Sequence, residues 1–127
     1  MNPLVYILLV NWNGKNDTLE CLSSLQTVTY PNFKVLVIDN ASSDGSVDAI
    51  QKNFPGIELI RSDKNLRFSG GNNVGISYAL KHNADYVLLL NNDTTVEPNF
   101  LTELVSVSEK NTFAGIIGSK IFFATNK

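Results

Sequence analysis

One cysteine, one histidine and one tryptophan are all that the 127-residue chain holds of those three residue types. A lone thiol, Cys21, excludes an internal disulfide. With a single histidine, His82, and no second cysteine, the chain also lacks the nitrogen and sulfur ligands of a zinc site. A reducing compartment fits that usage. An excess of charge of one sign is missing too: ten Lys and Arg against twelve Asp and Glu leave −2. No broad field therefore draws nucleic acid or an anionic surface, and any phosphate has to be bound locally. The longest apolar runs, "VYILLV" and "YVLLL", fall far short of the roughly 20 residues that span a bilayer, and no charged leader precedes them. Low-complexity linkers and internal repeats are absent. What is present is 43% hydrophobic content, enough for one compact domain with a sizeable core. The expectation is a single soluble, cytoplasmic domain, in which Cys21 packs in the core on a helical stripe with Thr18, Leu22, Leu25 and Val28.

Apolar runs rich in β-branched residues recur at 4–10, 34–39, 57–61, 86–90 and, less clearly, 114–123, and each reads as a strand buried on both faces. Helical segments lie between them. Asp17 and Glu20 are spaced as a capping box for the first helix. Ser43 or Asp44 is placed to cap the second, which ends at "NFPG". "SGGNNVGISYALKHN" forms the third, and the fourth is expected from Pro98. This alternation predicts an α/β fold: three αβα layers around a mainly parallel sheet with right-handed crossovers. In such sheets ligands sit beyond the carboxyl ends of the strands, where strand order reverses.

The polar residues gather at that rim. "NWNGKND", "DNASSDGS", "SDKNLRFSGGNN" and "NNDTT" follow the four clear strands, whereas "TVTYPNF", "NFPGI" and "KHNAD" at the other end are ordinary turns. Asp39, ending the second strand, either braces its turn or accepts a hydrogen bond from a base N–H or ribose hydroxyl. Asp93, taken as a carboxylate at a buried strand end, needs N–H donors or a cation; Mg²⁺ or Mn²⁺ with waters and diphosphate oxygens suits it. Asn91 and Asn92 can add a carbonyl ligand or bond a ribose hydroxyl. "RFSGGNNVG" reads equally as a phosphate-cradling helix start or as glycines that let a helix pack close to the sheet. It matches neither G-x-G-x-x-G nor G-K-[ST] spacing, which removes the main support for redox-cofactor and ATPase readings. Arg67 is a phosphate contact or a solvated surface residue, and Trp12 is core or a flank for a base. His82 reads as a helix-end residue and not a catalyst.

Taken in order, "VNWNG", "VIDNASSDGS", "NLRFSGGNNVG" and "YVLLLNNDTTVEP" resemble glycosyltransferase family 2, inverting enzymes of the GT-A fold, and most closely its rhamnosyltransferase-like members. The resemblance runs over nearly the whole chain. It implies a donor that is a nucleotide-diphosphate sugar (UDP, dTDP or GDP linked), a saccharide or lipid-linked saccharide acceptor, and a setting in polysaccharide biosynthesis at or near the inner face of the membrane. It places Val10, Asn11 and Trp12 beside the base, Asp39 on base or ribose, Asn72 and Asn73 in the donor pocket, and Asn91-Asn92-Asp93 at the D-x-D motif, with Asp93 and Asn91 toward the metal. Two departures stand out. Asn91 replaces the first Asp and lowers the negative charge, and Arg67 stands where many members have glycine, either touching phosphate directly or distorting the loop. The implied reaction is direct displacement at the anomeric carbon, with a carboxylate base taking the acceptor proton.

No carboxylate of the chain matches that base. Residues 1–127 are therefore expected to be the donor-binding N-terminal part of such a domain, inactive by itself, with an apolar terminal segment over which it self-associates. The competing reading is a non-catalytic α/β module that binds a nucleotide or a protein. A phospho-acceptor domain using Asp39 would need an acidic cluster after the first strand, and "NWNG" supplies none.

Overall fold

The computed structural model describes residues 2–118. Four strands, β1 (Val5–Asn11), β2 (Phe33–Asp39), β3 (Glu58–Arg61) and β4 (Tyr86–Leu89), alternate with helices α1 (Lys15–Leu25), α2 (Ser46–Asn53), α3 (Arg67–Lys81) and α4 (Phe100–Lys110). The sheet order is β3-β2-β1-β4 and every pairing is parallel. The chain thus steps outward from β1 through β2 to β3, then crosses back to place β4 on the other side of β1. Right-handed crossovers dictate that this reversal puts α3 on the opposite face of the sheet from α1 and α2.

The period of two along β1 shows how the faces are filled. Val5, Ile7 and Leu9 pack with Cys21, Leu22, Leu25, Ile50, Leu101 and Val105, the inner faces of α1, α2 and α4. Tyr6 and Leu8 turn the other way, with Leu36, Ile38 and Ala79 under α3. Burial of each such side chain contributes roughly 1.5–3 kcal/mol, so β1, buried on both faces, is the centre of the fold. Helix α3 lies unusually close to the sheet. A Cβ on Gly75 would stand 2.8 Å from Ile38 Cδ1 and 2.9 Å from Leu8 Cδ1, and one on Gly71 would meet both methyls of Val10 at 2.9 and 3.0 Å. The close-packing reading of these two glycines is what the structure shows.

Several boundaries differ from the sequence expectation. Helix α1 starts at Lys15 with Gly14 as its N-cap and no side-chain cap. Asp17 falls in the first turn, where it favours the helix dipole but closes no capping box. In α2 the N-cap is Gly45, in the left-handed region at φ 81; Asp44, one residue earlier, still accepts the Ser46 N–H at 3.0 Å. Helix α3 begins at Arg67, before Ser69. Helix α4 begins at Phe100, because Pro98 is held in the preceding loop by Thr29, whose N–H and hydroxyl both donate to the Pro98 carbonyl. Residues 114–118 form no strand, and 119–123 of the expected fifth strand lie outside the described residues, as does part of the segment on which self-association was expected. Beside β4, whose Leu89 is 46% exposed, an apolar groove of about 390 Å³ runs between the strand, α4 and residues 114–117.

Candidate functional site

Asn11 ends β1 and Asp39 ends β2, and the parallel register sets them side by side. Asn91, Asn92 and Asp93 follow β4 on the other flank of β1. The strand order reverses between β1 and β4, so these three segments meet at the switch point of the sheet.

A chain of hydrogen bonds crosses that point. Asn92 Nδ2 donates to Thr18 Oγ1 at 3.0 Å. The Thr18 hydroxyl donates to Asn11 Oδ1 at 2.8 Å, and Asn11 Nδ2 donates to Asp39 Oδ1 at 2.8 Å. Thr18, Asn11 and Asp39 are all fully buried. A carboxylate removed from water is costly unless its oxygens are satisfied. Here Asn11 holds one oxygen and the Ser42 backbone N–H donates to the other at 3.0 Å. Asp39 thus braces the turn through Asn11 and the Ser42 N–H. Gly14 makes the crossing possible, since a Cβ there would stand 2.6 Å from Asn92 Nδ2 and 3.2 Å from Asn11 Oδ1.

The loops after β1 and β2 are stitched together along their length. Asn13 N–H donates to Ser42 Oγ, Ser43 N–H to Asn13 Oδ1, and Lys15 N–H to Asp44 Oδ2. Burial alone would raise the Asp44 carboxyl, but the Ser46 hydroxyl and the Lys15 and Ser46 N–H groups outweigh it and hold it below the ordinary value. Backbone strain collects at the same rim. Asn13 (φ 49), Ala41 (φ 62) and Arg67 (φ 63) sit there in the left-handed region, with one further such residue, Asn83 (φ 64), beyond the far end of α3; the conformation costs non-glycine residues energy.

Arg67 occupies a position whose backbone favours glycine. Its carbonyl accepts Asn40 Nδ2 at 3.0 Å, and its side chain is exposed. Asn40 is 1% exposed with Oδ1 unpartnered, and Asn72 is 5% exposed with Nδ2 unpartnered. Asn73 is exposed, as is Trp12 at 57%, so Trp12 is not core. Val10 is half-buried against Gly71.

Two expectations at the β4 end need correction or refinement. Asp93 is exposed, not buried, because β4 stops at Leu89 and three residues separate its end from the carboxylate; the desolvation argument for a counter-ion does not apply there. Asn91 is exposed as well, with its backbone carbonyl accepting the Thr94 hydroxyl at 2.7 Å. No group of three His, Cys, Asp or Glu able to hold a metal exists among the described residues. Asp93 with an amide oxygen suits a hard cation that takes its other ligands from water and a diphosphate, not one caged by protein. His82 lies at the far end of α3, stacked on Tyr78 with ring centroids 3.9 Å apart, away from the rim.

Thr18, Ser42, Asn13, Asn40 and Gly14 were not singled out from the sequence as site residues. For Thr18 the signal was present: a hydroxyl on an otherwise apolar helical stripe. Among the described residues no helix is long and apolar enough to cross a membrane.

A parallel sheet of order 3-2-1-4 with its polar loops at the carboxyl rim is the architecture of GT-A glycosyltransferases, and solved structures of that class superpose on it. The mannosyltransferase PcManGT of Pyrobaculum calidifontis, solved with GDP-Man and Mn²⁺, matches with a TM-score of 0.76 at 20% identity, over 85% of this chain and 33% of its own. S. aureus TarS matches with a TM-score of 0.75 at 19% identity, over 92% of this chain and 23% of its own. The family model for glycosyl transferase family 2 matches residues 6–126, and the chain belongs to that family. A glycosyltransferase of Haemophilus influenzae with no assigned role is 26% identical over 98% of this chain and 39% of its own length. A low-salt glycan biosynthesis hexosyltransferase of Haloferax volcanii is 30% identical over 91% of this chain and 36% of its own. The chain therefore spans well under half the length of these relatives.

Proposed function

We propose that the carboxyl rim is the donor half of a hexosyltransferase site, which binds a nucleotide-diphosphate sugar with Mg²⁺ or Mn²⁺ for inverting transfer to an acceptor hydroxyl. One observation carries the reading: Asn11, Asp39 and the Asn91-Asn92-Asp93 loop converge at the switch point in one hydrogen-bonded network. The bound ligands of structural neighbours, GDP-Man with Mn²⁺ in one and UDP in another, support it.

In this reading each residue has a distinct task. Trp12 and Val10 flank the base. Asp39 shapes the base pocket by fixing Asn11 and the turn at Ser42, and because its carboxylate is fully buried, direct contact of its free lone pairs with base or ribose requires that turn to open. Asn72 and Asn73 line the pocket, Asn72 with a donor to spare. Arg67 reaches the phosphates from the start of α3. Asp93, with Asn91 beside it, would hold the cation, which when bound neutralises the departing diphosphate. The rhamnosyltransferase-like subgroup, a saccharide or lipid-linked acceptor and a cytoplasmic site of action belong to the same proposal. The carboxylate base is assigned to no residue of this chain.

Calorimetric titration with UDP, dTDP and GDP, each with and without Mn²⁺, tests it. Binding of one nucleotide is expected to depend on Mn²⁺ and to lose that dependence in Asp93→Ala. No binding under any condition, or equal binding by Asp93→Ala, would overturn it.

A further inference from the structure

Thr18 carries one hydroxyl proton, and the network leaves it only one place to go. An ionised carboxylate accepts and cannot donate, so Asn11 has to present its NH₂ group to Asp39. The Asn11 carbonyl oxygen then faces Thr18, 2.8 Å away, and can only accept. Thr18 must donate to it, and its remaining lone pairs face Asn92. Asn92 in turn must present its NH₂ group to Thr18, at 3.0 Å. Every bond in the series points toward Asp39, and bonds aligned in this way reinforce one another in a buried setting. The orientation of an asparagine amide is often undetermined by its neighbours. Here the charge at one end fixes it at the other.

The consequence lies beside Asp93. With its nitrogen committed to Thr18, Asn92 has its carbonyl oxygen left over. We propose that Thr18 is a positioning residue: it relays the charge of Asp39 to Asn92 and so fixes Asn92 Oδ1 as a neutral acceptor on the ligand side of the rim, for a protic or cationic group. Two sources supply that chemistry, a hydrated divalent cation and a hydroxyl of the donor. Gly14 is part of the device, because its bare Cα lets the Asn92 amide reach Thr18. The inference rests on the donor-site reading for its ligand, but not for the relay itself.

The test has two stages. In the first, ¹⁵N spectra of the ligand-free chain read the Asn92 side-chain NH₂. In the unaltered protein its protons exchange more slowly than those of exposed Asn73; equal exchange would overturn the relay even if every variant failed to fold. Thr18→Val keeps the shape and removes the hydroxyl, so protection of Asn92 is expected to be lost, and Thr18→Ser is expected to restore it. Protection that persists in Thr18→Val would also overturn the relay.

In the second stage, calorimetric titrations use Mn²⁺ alone, each of UDP, dTDP and GDP alone, and each nucleotide with Mn²⁺. Thr18→Val is expected to weaken binding about two- to tenfold, the worth of one net hydrogen bond, with recovery in Thr18→Ser. Weakening in the Mn²⁺ arm identifies the cation as the group that Asn92 meets; weakening in a nucleotide arm without Mn²⁺ identifies a hydroxyl. Equal affinity of Thr18→Val and the unaltered protein in every arm refutes the positioning role. Absence of any binding by the unaltered protein, with the first stage positive, refutes the donor site and its ligand and leaves the relay standing.

Discussion

Replacing Arg67 by glycine should make the protein more stable and a poorer nucleotide binder at the same time. The backbone there has φ 63, a conformation that costs an L-residue about 1–2 kcal/mol. Glycine removes that penalty but brings about 0.4–1 kcal/mol of extra freedom to the unfolded chain. The net gain is centred on about 0.8 kcal/mol, from about 0 to 1.6 at the extremes, or roughly 2–5 °C in Tm for the central figure in a chain of this length. Neither backbone hydrogen bond at the position is lost, since Arg67 N–H donates to Asn65 Oδ1 and its carbonyl accepts Asn40 Nδ2. The guanidinium is lost, and a charge-assisted contact with a phosphate is worth enough to cost about tenfold or more in affinity. Scanning calorimetry and titration with UDP and Mn²⁺ read the two effects separately. Arg67→Lys is the control, because it keeps both the strained φ and a positive charge, and it should gain no stability. A Tm for Arg67→Gly at or below that of the unaltered protein would refute the strain argument, and unchanged UDP affinity would refute the phosphate contact.

Gly71→Ala should destabilise the protein by about 1–3 kcal/mol, the usual cost of overpacking, because the new methyl meets the stiff β-branched Val10 at under 3.1 Å and the Asn40 amide at 3.2 Å; urea unfolding measures it, and a neutral result would mean that α3 is free to lift off the sheet. Burial, reinforced by the charges of Asp93 and Glu20 and opposed by a hydrogen bond with Thr94, pushes the Cys21 thiol up to about 11. Burial and the Glu58 carboxylate push the Tyr6 hydroxyl up to about 12. Both groups are held neutral in the folded state. Their contribution to stability is complete below the unfolded values, about 8.5 and 10, and is lost as pH rises through the folded ones. The urea midpoint should therefore start to fall near pH 9, and in Cys21→Ala the first part of that fall should disappear; an unchanged profile would contradict the assignment.

Much of this molecule was legible in order along the chain. The strands at 4–10, 34–39, 57–61 and 86–90 were found to within a residue or so because strands buried on both faces are continuous apolar runs, and such runs need no tertiary information to recognise. Helix starts were less legible. Asp17 satisfied the sequence rule for a cap, yet Gly14 became the N-cap, because the loop from β1 has to bring the Thr18 hydroxyl onto Asn11. Pro98 satisfied the rule for a first helical turn, yet Thr29, distant in sequence, claims its carbonyl.

Hydrophobic periodicity and turn chemistry are local properties, and they suffice to specify a parallel α/β sheet with Asn, Asp, Ser and Gly crowding its carboxyl rim. How those residues share the work depends on packing between segments. Asp39 is buried and satisfied while Asp93 is open to solvent, and no local pattern distinguishes two carboxylates that each follow an apolar strand. Thr18 read as one more position on a core stripe. Its hydroxyl became the link between α1 and the loop after β4, 74 residues apart at Thr18 and Asn92, because the reversal of strand order at β1 brings the end of β4 beside the start of α1, and that adjacency is a property of the sheet and of no segment within it.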